Sequence, residues 1–176
     1  MLCDAIERQL ISDVPLCSFL SGGLDSSVIT AVAMRKYKQE GKRFSTYSFE
    51  HEGNRDHYTP TLFQPQSDDN YAVYLAKYLN TDHTILTVKT DQLVELLADA
   101  VKYRDYPGMA DIDSSLLYYC RQVKLNHTVA LSGEIFERLT GQENQTWFGQ
   151  LMGTPQLMAW LIQLDYWFEE NQITLV

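Results

Sequence analysis

Two short clusters carry the residue types that could do chemistry. One is Ser21-Gly22-Gly23-Leu24-Asp25-Ser26-Ser27, and the other is Ser132-Gly133-Glu134. In the first, two glycines let the backbone turn tightly and approach a ligand. Successive N–H groups in such a turn form an anion cradle. Ser21, Ser26 and Ser27 add hydroxyl donors, and Asp25 adds a hard oxygen of the kind Mg²⁺ takes beside phosphates. No Gly-Lys-Ser/Thr follows, so this is not a Walker A loop. A plain packing turn is the alternative, but two glycines, an acid and three serines in seven positions are a poor choice for packing alone. In the second cluster Ser132 and Gly133 offer backbone and hydroxyl contacts, and Glu134 offers a carboxylate.

These clusters need elements to hold them. Leu16, Phe19 and Leu20 form an apolar run of strand length, so Val14–Leu20 is predicted as the first strand. A helix from Ser26 to about Lys38 follows, and its N-terminal dipole favours an anion in the turn. The alternation of residues 44–49 predicts a second strand, residues 83–88 a third and residues 127–131 a fourth. The fourth ends at Ser132. Ligands of open α/β sheets gather at such carboxyl ends. Further helices are predicted over residues 1–10, from about Asp69 with Tyr71, Leu75 and Leu79 inward, from Thr90 to Val101, from Asp111 to Val123, and over residues 155–170. Arg35, Lys36 and Lys38 offset the dipole at a helix end. The polar stretch Glu50–Gln66 reads equally as a solvated loop or as a lid over a ligand.

The loop Ser21–Ser27, with Val14-Pro15 just upstream, resembles the PP-loop S-G-G-x-D-S of the ATP pyrophosphatases. It looks most like the synthetase domain of the glutamine-hydrolysing asparagine synthetases, over roughly Ile11 to Phe136. The βα units and the resemblance together imply an α/β fold, mainly parallel, with helices on both faces. The resemblance implies ATP and Mg²⁺, and a reaction in which the aspartate side-chain carboxylate is adenylated with release of pyrophosphate. Ammonia from a glutaminase domain or subunit then displaces AMP to give asparagine. By the same resemblance Ser21, Gly22, Gly23, Ser26 and Ser27 hold the pyrophosphate, and Asp25 is the metal ligand. Leu20, Ser48 and Phe49 meet the adenine, Ser132 and Gly133 touch ATP, and Glu134 assists proton removal. Asp69 and Tyr71 match an acid and a tyrosine of the family. Asp105-Tyr106-Pro107 and Ala110-Asp111-Ile112 look like its D-E-P and A-D-P-S, with Tyr106 and Ile112 replacing the expected residues. Asp111 is either a helix cap or a holder of a substrate ammonium.

The sequence also departs from the family. S-G-E there continues G-A-D-E-I-F-G-G, and that aspartate is the second Mg²⁺ ligand. Here Glu134 runs directly into Ile135-Phe136, and no lysine or arginine follows Arg138. A true deletion, which would cripple metal binding, and residues missing at this join are both open. The family's glutaminase nucleophile is a cysteine at the mature N-terminus. Cys3 leads into a helix instead and reads as core, so the glutaminase domain is expected to be absent. Another adenylating amide-former such as a β-lactam synthetase, and a non-catalytic nucleotide-binding module, remain alternatives. A homodimer is open.

Composition bounds the rest. The 176 residues read as one domain, 1–176, with 45% hydrophobic and 21% charged content. A net charge of −9 argues against nucleic-acid binding. It also means that a triphosphate must be met by local donors and metal. No membrane span or signal peptide is seen. The three cysteines, Cys3, Cys17 and Cys120, lack metal spacing. They read as small buried residues of a cytoplasmic protein.

Overall fold

The computed structural model describes residues 2–53, 69–108 and 110–131, together with Gln163, Tyr166, Trp167 and Glu170. The elements in chain order are α1 (Leu2–Gln9), β1 (Leu16–Phe19), α2 (Leu24–Gln39), β2 (Ser45–His51), α3 (Asp69–Leu79), β3 (Asp82–Val88), α4 (Thr90–Arg104), α5 (Ala110–Val123) and β4 (Val129–Leu131). The described residues form two compact units, residues 2–87 with 123–131, and residues 88–122 with the four isolated ones. No described helix is long and apolar enough to cross a membrane.

The first unit holds a four-stranded sheet of order β3-β2-β1-β4. β1 runs parallel to both neighbours, with Ser18 level with Thr46 of β2 and with Leu131 of β4. Flanked on both sides, β1 buries Leu16, Cys17 and Ser18 in succession, as an inner parallel strand must. It begins at Leu16 rather than Val14. The Ser12 hydroxyl accepts from the Val14 N–H (3.2 Å) and donates to the Val14 carbonyl (3.0 Å), which keeps Val14 off the ladder.

Alternation along the strands sorts side chains to two faces. Leu16, Phe44 and Leu131 lie with Ile29, Val32, Ala33 and Met34 of α2 and with Ile6 and Leu10 from α1 and its end. An Arg35–Glu7 ion pair at 2.5 Å ties α2 to α1, which gives one member of the basic cluster a partner beyond the helix dipole. On the other face Cys17 and Tyr47 pack with Val123, flanked by Phe19, Phe49, Leu86 and Ala130. Leu20 is fully buried against Ala72 and Ala76 of α3. Of the residues expected to face inward on α3, Leu75 packs against this cluster and Leu79 against the larger one, whereas Tyr71 is 51% exposed and corrects that expectation. Small residues let the helix lie close to the sheet, and the tyrosines are too bulky for that seam.

In the second unit α4 buries Leu96, Leu97, Ala100 and Val101. Arg121 of α5 pairs with Asp99 of α4 at 2.7 Å. Gln163, Tyr166, Trp167 and Glu170 are helical, within the helix expected over residues 155–170. Gln163 is buried and donates to the Leu97 carbonyl (3.2 Å), while the Trp167 indole N–H donates to the Asp105 carbonyl (2.9 Å). The predicted stripe of Leu157, Trp160, Leu161, Leu164 and Phe168 lies outside the described residues.

Of the cysteines only Cys17 is buried, and Cys3 and Cys120 are exposed. Cys3 sits on α1, whose buried side belongs to Ile6.

Candidate functional site

The glycine cluster is the link from β1 to α2. Beyond the end of β1, the Leu20 N–H donates to the Tyr47 carbonyl at 2.7 Å, so the ladder to β2 continues up to the turn. Gly22 then takes φ +87°, a conformation that penalises any side chain. Gly23 is extended (φ −71°, ψ 162°) and caps α2 without a side chain.

The serines close the loop on itself. The Ser26 hydroxyl donates to the Gly23 carbonyl (3.1 Å), and the Ser27 hydroxyl donates to the same oxygen (2.6 Å). With the Ser26 proton so engaged, the Ser21 hydroxyl donates to Ser26 Oγ (3.1 Å). Ser26 Oγ also accepts the Ser21 N–H (3.3 Å), and Ser21 Oγ accepts the Gly23 N–H (3.3 Å). All three hydroxyl protons therefore have acceptors inside the loop. What the loop leaves outward is the first turn of α2, whose N–H groups have no intrahelical partners, at the positive end of the helix dipole.

Asp25 stands in that first turn, half-buried. Among the described residues no hydrogen bond or ion pair holds its carboxylate. A free hard oxygen beside anion-binding N–H groups suits Mg²⁺, which takes one or two carboxylates together with phosphates and water.

Behind the loop, a Ser18–Thr30 hydroxyl pair at 3.0 Å, both residues fully buried, fastens α2 onto β1. The loop is thus clamped by hydrogen bonds at β2, within itself and at α2.

The strand order places this loop at a switch point. β2 and β3 extend to one side of β1 and β4 lies on the other. Ligands of open α/β sheets lie outside the carboxyl ends of the strands at such a reversal. Because Leu131 is level with Ser18, β4 ends beside the end of β1. Ser132, Gly133 and Glu134, the expected partners across this crevice, lie outside the described residues. So do most of Glu50–Gln66 and the side chains of Asp69 and Asp111.

Of the residues expected at the base, Leu20 is fully buried against Ala72 and Ala76. Phe49 packs edge-on to Phe19 at 4.9 Å. Ser48 is 7% exposed and shares a hydrogen bond with His83 Nε2 at 3.2 Å. Nothing in the sequence reading singled out His83. A readable signal existed in part: Ser18, Thr46 and Ser48 occupy the buried parity of two neighbouring strands, where hydroxyls need partners.

Near the start of α5, Arg104 pairs with the buried carboxylate of Asp113 and donates to the Tyr106 hydroxyl (3.1 Å). A Cβ on Gly108 would run into Asp113 Oδ2, so a side chain there would have to displace that carboxylate.

Comparison with known proteins gives the family. Residues 1–135 match the family model described as asparagine synthase. Over 146 residues the chain is 44% identical to glutamine-hydrolysing asparagine synthetase 3 of Bacillus subtilis, covering 82% of this chain and 24% of that one. It is 30% identical over 143 residues to a putative glutamine-hydrolysing asparagine synthetase of Mycobacterium tuberculosis, covering 80% of this chain and 20% of that one. It is 26% identical over 147 residues to glutamine-hydrolysing asparagine synthetase B of Escherichia coli, covering 78% and 25%. The chain thus spans a fifth to a quarter of the length of these curated relatives. Among solved structures, NAD⁺ synthetase from Burkholderia pseudomallei is 13% identical with a TM-score of 0.37, covering 93% of this chain and 86% of that one, too distant to carry an argument. With its sequence matched from the first residue past the end of β4, this chain belongs to the asparagine synthase family.

Proposed function

We propose that this chain is the ATP-using part of an asparagine-forming ligase. The observation that carries the reading is the loop Ser21–Ser27, clamped between a central parallel strand and a helix start at the sheet's switch point, with Asp25 beside it and without a side-chain partner among the described residues. In this reading the first-turn N–H groups of α2 and the backbone at Gly22 and Gly23 bind the β- and γ-phosphates of ATP. Asp25 holds Mg²⁺, which offsets the charge that builds on the leaving pyrophosphate. The base rests beyond the ends of β1 and β2, against the backbone at Leu20 and against Ser48 and Phe49. The aspartate side-chain carboxylate attacks the α-phosphorus, the bond to the bridging oxygen breaks, and β-aspartyl-AMP and pyrophosphate form. Ammonia, delivered by a glutaminase domain or subunit, then attacks the acyl carbon and AMP leaves. Ser132 and Gly133 contact the nucleotide, and Glu134 takes the proton that ammonia loses.

A second reading has an observation of its own. The family's aspartate after S-G-E has no counterpart where Glu134 runs into Ile135-Phe136. That departure suits a module that binds nucleotide without turning it over. One experiment separates the two. The chain is supplied with Mg²⁺-ATP, aspartate and ammonium, and pyrophosphate and asparagine are measured alongside ATP affinity in the native chain and in Asp25→Asn. Both products, with affinity falling more than about tenfold in Asp25→Asn (1.4 kcal/mol), support the ligase. Binding without either product supports the module. Pyrophosphate only with a different carboxylic acid moves the substrate assignment, and unchanged affinity in a folded Asp25→Asn removes Asp25 from the site.

A further inference from the structure

β3 ends the sheet, and among the described residues no strand pairs with its outer edge. An edge strand presents a row of backbone N–H and C=O groups to any chain that can continue the ladder, and proteins blunt such edges with lysine, proline, a bulge or a very short strand. β3 is seven residues long, and from His83 to Val88 it holds no lysine, arginine, proline or acid. Its one acid, Asp82, stands at its first position. Its threonines, isoleucine and valine favour extended backbone. Its one ring, His83, is turned inward: it meets Thr46 at 2.9 Å and Ser48 at 3.2 Å, and Thr46 meets Thr81 at 3.0 Å. Thr84 and Ile85 fall on opposite faces of the sheet, and both are exposed, Ile85 by 39%. The middle of β3 is thus uncovered on both faces as well.

We propose that the β3 edge is a docking surface for a second copy of this chain, whose own β3 adds to it antiparallel across a two-fold axis. Charge and self-complementarity select this partner. An axis through Ile85 sets Ile85 opposite the partner's Ile85, Thr84 opposite the partner's Leu86 and Asp82 opposite the partner's Val88. Apolar and β-branched pairs of this kind stabilise a ladder. The two Asp82 carboxylates end about 20 Å apart along the strands, well beyond the Debye length of about 8 Å at physiological salt. Each copy supplies the same edge, so the contact closes on itself as a pair. Each copy also carries a net charge of −9, so long-range repulsion opposes the contact. The pair is therefore weak, and it tightens as salt screens that repulsion. The loop Ser21–Ser27 follows β1, two strands away from β3, so each copy keeps its own candidate site.

The test is sedimentation of the full chain from micromolar to near-millimolar concentration, at low and at high NaCl. A monomer–dimer equilibrium that moves toward dimer as NaCl rises is expected. Ile85→Lys, at an exposed position, sets like charges opposite each other at the axis and is expected to weaken the dimer about tenfold or more. Thr84→Lys, also exposed, places a lysine on the same edge and gives a second reading should Ile85→Lys not fold; circular dichroism checks both. Hydrogen exchange reads the surface itself. Alternate β3 amides, those pointing away from β2, are expected to gain protection as concentration rises. A chain that stays monomeric throughout at high NaCl overturns the inference. So does a dimer that a folded lysine variant leaves equally tight, or one that forms without protecting those amides, since another face then holds it. A dimer that loosens as NaCl rises is held by ion pairs and overturns it too.

Discussion

The two adjacent glycines of the loop separate what the fold needs from what a ligand needs. Gly22 has φ +87°, and an alanine there must adopt a left-handed conformation costing about 1–2 kcal/mol. Gly23 has φ −71° and ψ 162°, which any residue adopts, and a Cβ added to it would meet Ser21 Oγ at 3.4 Å, an ordinary contact. Alanine at Gly23 loses the advantage of glycine at a helix cap, about 0.5–1 kcal/mol. It regains about 0.4–1 kcal/mol by restricting the unfolded chain. The expected outcome is that Gly22→Ala loses about 1–2 kcal/mol while Gly23→Ala stays within about 0.5 kcal/mol of the native chain. Urea unfolding of the three proteins measures this. The same samples with Mg²⁺-ATP give the second half. If phosphate oxygens come up against the backbone at Gly23, a methyl group there blocks them, and Gly23→Ala loses most of the ligand-induced stabilisation at no cost to the apo fold. Gly23→Ala that is both stable and fully stabilised by ATP would refute a backbone phosphate site at that glycine. Equal destabilisation of the two variants would refute the conformational reasoning itself.

The Ser18–Thr30 pair gives a double-mutant cycle. Ser18→Ala or Thr30→Val alone leaves a buried hydroxyl unpaired and costs about 1–3 kcal/mol, whereas the double variant is expected to cost clearly less than the sum; strictly additive losses would show the two hydroxyls are not coupled. Thiol labelling should order the cysteines by burial: the Cys17 thiol is pushed up from 9.0 to about 12 by desolvation and should react only on unfolding, while exposed Cys3 reacts in the native state, and early labelling of Cys17 would contradict its burial against Tyr47 and Val123.

The elements around the loop were legible because the signals were local. An apolar run broken by two glycines gave β1 and the turn, and alternation gave β2 and β3 nearly to their ends. α3 was found, and its buried face in part: Leu75 and Leu79 pack inward, but Tyr71 was counted as apolar, whereas the fully buried positions of the seam against Leu20 are Ala72 and Ala76. Side-chain size decides there, and size matters only once the helix has a sheet to approach. The polar line through Thr46, Thr81, His83 and Ser48 was harder still. Ser48 was singled out only for the adenine, and Thr46, Thr81 and His83 carry no signal of one another along the chain. They become one network only when β3 lies beside β2 and two buried parities coincide, which is long-range information that spacing along the chain does not carry.

The serines of the loop show the same limit at closer range. Their types and spacing point to three hydroxyl donors aimed at phosphate. Folding instead gives Ser26 and Ser27 a shared acceptor in the Gly23 carbonyl and gives Ser21 an acceptor in Ser26. A phosphate oxygen would have to compete with these bonds for each proton. The Gly23 N–H is likewise taken by Ser21 Oγ, but the first-turn N–H groups of Leu24, Asp25 and Ser26 face no such competition, since helix geometry leaves them without partners. The loop therefore divides the labour. Its hydroxyls fix the shape, its backbone presents the charge, and Gly22 supplies the one left-handed turn that the shape requires.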